Sequence, residues 1–192
     1  RRSSDLICSN QIAHTIRYNE KRQKPVTLLT VTGLFAATIT LMTAYICHIP
    51  YGANGGYIHF GDALIYVAAV ILPRPYAMAA AAIGGGLADL LTAPMWAPAT
   101  IIIKMLITLP FTSKNGRMLN GRNIIAPFLA ALISATGYYL AQGILFGSWI
   151  SVIVSFAGST VQSGGSAVIF LVLAGAMDKA HIKNKAELIL YQ

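Results

Sequence analysis

Two ionisable residues, Asp89 and Lys104, stand inside an otherwise lipid-soluble stretch, IGGGLADLLTAPMWAPATIIIKMLITLPF, from Ile83 to Phe111. A charged group within a bilayer is costly, so it persists where it pairs with another charge or lines a polar cavity. Between the two lies Thr92-Ala93-Pro94-Met95-Trp96-Ala97-Pro98, whose prolines and interfacial tryptophan read as a tight turn at a membrane surface. Counted outward from that turn, Asp89 and Lys104 reach similar depths on two antiparallel helices. The residues leave two readings open, a structural ion pair or two snorkelling side chains on the one hand, or one or both residues facing a binding cavity on the other. Another acidic residue, Asp62, lies near the start of an earlier apolar segment and close to the same membrane face as Asp89.

The elements that must hold these residues are apolar helices. Hydrophobic residues make up 56% of the chain and charged residues 10%, with a mean hydropathy of +0.63. A soluble domain carries about 25% charged residues, so this composition describes a polytopic membrane protein. A span needs about 20 residues, so 192 residues leave no room for a separate catalytic domain. The expected fold is all-α, a bundle of six transmembrane helices over about 26–49, 57–72, 76–91, 96–112, 124–146 and 149–177. A basic tail, 1–25, precedes the membrane domain of 26–177, and a second tail, 178–192, follows it. The first apolar run is too long for a signal peptide and follows about 25 polar residues, and Arg1 in place of Met suggests a truncated start.

The net charge of +8 does not point to nucleic acid, because of where the charges sit. Thirteen of the fourteen Lys and Arg fall in 1–25, 73–75, 113–123 and 178–192, and the intervening loops at 50–60, 93–95 and 147–148 have none. The positive-inside rule then places both termini in the cytoplasm. This topology gathers Asn54, Tyr57, His59, Asp62, Asp89, Tyr139, Gln142 and Gln162 in the outer half, with Lys104 beneath them. An outward-opening pocket capped by the glycine-rich 50–60 loop is expected, since small-molecule sites join a few polar groups to an apolar cavity. A lone histidine such as His59 is ordinarily just solvated.

Small residues recur at spacings of four on the first span, as Gly33 with Ala37 and as Ala36, Thr40 and Ala44. Such stripes allow close backbone approach, either inside this protein or to a partner helix. No G-x-x-x-x-G-K-[ST], H-E-x-x-H or G-x-S-x-G motif occurs, and Cys8 and Cys47 make a poor metal site. No enzyme, metal or cofactor is expected, and uphill transport must draw on an ion gradient or on another polypeptide.

At Gly61-Asp62-Ala63-Leu64-Ile65, Ala88-Asp89-Leu90-Leu91 and Pro98-Ala99-Thr100-Ile101-Ile102-Ile103-Lys104, the chain resembles the substrate-binding S components of energy-coupling factor (ECF) vitamin transporters. It is closest to their riboflavin-transporter-like branch, and the resemblance runs from about Thr27 to Met177. It implies a six-helix protein of a prokaryotic plasma membrane that captures a vitamin or vitamin precursor outside. A transmembrane coupling subunit and two cytosolic ATPases would then drive release inside. The family's coupling contact on the first helix would fall on Gly33 and Ala37, where the family usually has alanine at both places. Its ligand zone would contain Asn54, Tyr57, His59, Lys104, Tyr139, Gln142 and Gln162.

Tyr139, Trp96 and Tyr57 suit stacking on a flat heteroaromatic ring. Lys104 suits an anionic or carbonyl oxygen, provided that Asp89 does not neutralise it. A flavin, a pyridoxine or a pyrimidine precursor each satisfies that description. The alternative is a self-contained secondary transporter with Asp62, Asp89 and Lys104 as a proton relay. An intramembrane enzyme using an aspartate as acid or base lacks a nucleophile and base at helical spacing.

Overall fold

Pro25 opens the first helix, where its missing N–H is no loss because the first turn has no acceptor for it. In the computed structural model, residues 24–46, 49–50, 57–147 and 152–191 are described. Cys8, Cys47 and Asn54 lie outside them, as does the basic tail before Lys24. Helix α1 (Pro25–Leu41) continues into a π turn at Met42–Ile46. A two-residue antiparallel ladder follows, pairing Ile49–Pro50 (β1) with Tyr57–Ile58 (β2). Six more helices complete the described chain, α2 (Asp62–Ile71), α3 (Arg74–Thr92), α4 (Ala97–Leu106), α5 (Gly121–Phe146), α6 (Val152–Lys179) and α7 (Ile182–Tyr191).

Helix α2 is the centre of the bundle. Nine of its ten residues are buried, and it packs against α1, α3, α6 and α7. A helix apolar all round belongs in an interior, and ten residues rise only about 15 Å, half of a hydrocarbon core. The 57–72 segment is therefore part ladder and part short core helix. Leu72 ends α2 in an extended conformation because Pro73 disfavours the helical region for the residue before it, and Pro75 restarts the chain in the first turn of α3.

Three helices are long and apolar enough to cross a membrane by length and composition, Pro25–Ile46, Gly121–Phe146 and Gly158–Lys179. Their outer faces leave Val26, Leu29, Leu34, Ile124, Phe128, Val168 and Val172 exposed, a surface that suits hydrocarbon. The chain is thus an all-helical membrane protein apart from the short ladder.

The two small-residue stripes of α1 part company. Ala36 is buried and Thr40 partly so, and the Thr40 hydroxyl donates to the Gly84 carbonyl of α3 at 3.1 Å. A Cβ on Gly84 would sit 2.8 Å from the Ala36 carbonyl oxygen, so only glycine permits that approach. Gly33 and Ala37 point the other way and are exposed, with nothing within 4 Å of a Cβ built on Gly33.

At the basic end the 111–120 segment is held by side chains instead of its own backbone ladder. Buried Asn123 accepts from the Thr112 amide at 2.9 Å and donates to the Thr112 and Met118 carbonyls at 2.9 and 2.8 Å. The Asp178 carboxylate accepts from the Met118 and Leu119 amides at 2.8 and 2.9 Å. The expected 178–192 tail holds helix α7, whose Lys183 and Leu190 are buried against the bundle.

Candidate functional site

Helix α4 carries Lys104 to the middle of the protein, where it is 1% exposed. Its aliphatic stem lies against α3 at Gly85, where a Cβ would come within 2.8 Å of the lysine Cγ. With no side chain in the way, the stem passes α3 and the ammonium group reaches the first turn of α2. There Lys104 Nζ donates to Asp62 Oδ1 at 2.6 Å, and Asp62 is fully buried. The carboxylate hydrogen-bonded to Lys104 is therefore that of Asp62, a partner that neither reading of Asp89 and Lys104 names. Asp89 is also buried and acts on the same ammonium group through space. Counting depth along the hairpin considers only Asp89, whereas the gap at Gly85 lets the lysine stem reach Asp62 as well.

The second carboxylate oxygen of Asp62 ties in α6. Gln162 Nε2 donates to Asp62 Oδ2 at 3.2 Å, and Gln162 Oε1 accepts from the His59 amide at 3.4 Å. His59 is 4% exposed, and its Nδ1 accepts from the Gly61 amide at 3.1 Å. The ordinary expectation of a solvated histidine is thus corrected, since the 57–60 segment folds inward onto α6. Phe60 closes this junction against Gly165, where any Cβ would collide with its ring. One chain of contacts joins the first loop, α2, α4 and α6 through His59, Gln162, Asp62 and Lys104.

Aromatic side chains border this network. The Tyr138 ring of α5 has Lys104 Nζ 5.5 Å from its centroid, within cation–π range. Its hydroxyl shares a 3.0 Å hydrogen bond with Thr100 Oγ1. Trp96, expected at a membrane surface, is buried against Tyr138 and Phe146, with ring centroids 6.0 and 5.2 Å apart. Gln142 is buried and Tyr139 half-buried on the same helix. Tyr57 belongs to β2 by its backbone, its side chain lying outside the described residues with Asn54.

Tyr138, Thr100 and Gly85 were not among the site residues expected from the sequence. Thr100 and Lys104 are one helical turn apart, so both can face α5, and this i, i+4 spacing was the available signal. Tyr138 against Tyr139 cannot be decided from spacing, because adjacent residues on a helix point about 100° apart.

A helical membrane protein with buried charged and amide side chains beside aromatic rings has the makings of a substrate-binding transport subunit. The chain matches the ECF-type riboflavin transporter, S component, over residues 24–179, and it belongs to that family. Members are membrane-embedded transport subunits, not enzymes, that bind a small vitamin and work with an ECF module. The chain is also similar to a Pyrococcus woesei protein described as an uncharacterized protein in the gap 3' region. The two are 29% identical over 136 residues, which is 70% of this chain and 88% of that protein.

Proposed function

We propose that this chain is the high-affinity capture subunit of an ATP-driven importer for a flavin or a related flat vitamin precursor. The observation that carries the reading is the connection from His59 through Gln162 and Asp62 to Lys104. It fastens the first loop to α4, whose Lys104 lies over the Tyr138 ring and whose start adjoins Trp96, so a ligand seated there would stiffen loop and bundle together. Trp96 and Tyr138 supply apolar faces for a heteroaromatic ring, with Gln142 and Tyr139 as nearby polar partners. Because Asp62 already satisfies Lys104, the lysine acts as a positioning residue that holds the carboxylate to which Gln162 donates and holds Tyr138 by its charge. The family name, which specifies riboflavin, favours a flavin over a pyridoxine or pyrimidine precursor.

In this reading the chain crosses the membrane six times, with both termini on the cytoplasmic side, as the distribution of Lys and Arg favours. The outward stripe of Gly33 and Ala37 is the surface offered to the coupling subunit, and ATP hydrolysis belongs to partner polypeptides. Mass spectrometry of the small molecule retained by the purified chain tests the reading. A flavin bound at one per chain supports it. A stoichiometric molecule with no aromatic ring would overturn the assignment of the site. A self-contained proton-coupled transporter using Asp62, Asp89 and Lys104 would instead give full uptake in liposomes holding this chain alone, without ATP.

A further inference from the structure

A second cleft opens at the basic end of the bundle, away from the network described above. It has a volume of about 380 Å³ and lies between the α2–α3 turn and the segment following α4. Arg74 and Lys114 line it from opposite elements, with Thr112 and Ser113 beside Lys114 and the buried ring of Phe111 among its apolar walls. Small-molecule sites begin at about 300 Å³, so the space accommodates a headgroup.

The charge balance of this cleft is one-sided. Neither Arg74 nor Lys114 forms an ion pair among the described residues. Two other cations at this end are engaged, Arg122 donating to the Pro110 and Leu109 carbonyls and Lys183 to the Arg117 carbonyl. The four carboxylates of the described residues lie elsewhere. Asp62 and Asp89 belong to the central region, Asp178 accepts from the Met118 and Leu119 amides, and Glu187 sits on α7. Pro73 and Pro75 flank Arg74 and restrict the backbone on both sides of it, so its position is set before any ligand arrives.

We propose that this cleft binds a phosphate group, supplied by an anionic phospholipid. Two unpaired cations and adjacent hydroxyls suit a phosphate oxyanion, and an arginine can hold it with two parallel hydrogen bonds. The apolar walls suit the glycerol and first methylenes of a lipid, which a free phosphate lacks. Basic pockets between helices at a membrane surface bind headgroups in this manner. The site is independent of the vitamin pocket and uses none of its residues.

The test uses the full chain in nanodiscs of phosphatidylglycerol and phosphatidylcholine, with native mass spectrometry counting the phosphatidylglycerol retained. The double variant Arg74→Gln/Lys114→Gln is expected to lose retention roughly tenfold. Arg122→Gln, whose cation is already engaged, and the charge-conserving Arg74→Lys/Lys114→Arg are expected to keep it. The conservative pair holds the test open should the glutamine variant unfold, because loss of retention in a folded, fully charged cleft would contradict the proposal. A parallel arm titrates inorganic phosphate and follows it by phosphorus NMR. Variant-sensitive binding of inorganic phosphate without phosphatidylglycerol retention would overturn the lipid source. Equal retention by wild type and the glutamine variant, with no phosphate binding, would overturn the site.

Discussion

Asp62 and Lys104, 42 positions apart in the chain, meet at 2.6 Å in the most buried part of the protein. The attraction between them offsets the loss of water only while both are present, and Gln162 completes the carboxylate's shell. Removing one partner leaves a naked charge, whereas replacing both by apolar residues removes the problem with the charges.

Lys104→Met and Asp62→Leu are each expected to cost about 3–5 kcal/mol of stability, and the double variant much less than their sum. Thermal unfolding in detergent measures the coupling, and simple additivity would show that the pair is not energetically linked. Lys104→Ala is also expected to weaken vitamin binding at least about tenfold, or roughly 1.4 kcal/mol. Unchanged affinity would confine the pair to holding the fold.

Gly85→Val probes the gap through which the lysine stem passes. A Cβ there already falls 2.8 Å from Lys104 Cγ, so a branched side chain must displace the stem and pull the ammonium group from Asp62. A loss of about 1–3 kcal/mol of stability is expected, together with weaker ligand binding. Isothermal titration on the folded variant reads the second effect, and wild-type affinity would show that the stem has another route.

Gly33→Leu and Ala37→Leu change a face that nothing in the described chain covers. Binding by the isolated chain is expected to stay within about twofold, since an exposed substitution usually changes energies by no more than about 0.5 kcal/mol. ATP-dependent uptake in the assembled system is expected to fall. Normal uptake in both variants would remove this stripe from the coupling contact.

Lys183 offers a pH test outside the membrane segments. It is almost fully buried, and loss of water lowers the pKa of its ammonium group below the ordinary 10.5, against the opposing pull of Glu187 and Asp178. The unfolded chain then binds the proton more tightly than the folded one, so stability rises with pH between the lowered value and 10.5. Lys183→Met is expected to raise the unfolding temperature at neutral pH, with the gain shrinking as pH climbs toward the ordinary lysine value. A gain independent of pH would mean that packing, not charge burial, is responsible.

Helix identity was legible because long uncharged runs between basic loops have few other solutions in lipid. The sequence also exposed the residues of the network, since a charge or amide in an apolar run stands out whatever the fold. Asp62, Lys104 and Gln162 were marked in this way, whereas His59 stood out only as a polar residue of the glycine-rich 50–60 loop. Their wiring was not legible. Asp62 and Asp89 look alike along the chain, and so do the two small-residue stripes of α1.

Composition and spacing on their own determine what lipid demands of a chain, namely that its long apolar runs become helices and where along each run a polar group falls. Tertiary packing alone decided that Asp62 takes Lys104, that Ala36 and Thr40 turn inward while Gly33 and Ala37 turn outward, and that α2 is enclosed on all sides. The reason is geometric. Depth is a property of a single helix, counted in residues, whereas the neighbour a side chain meets depends on the rotation and position of several helices at once. Those are set by where glycines such as Gly84 and Gly85 let backbones approach.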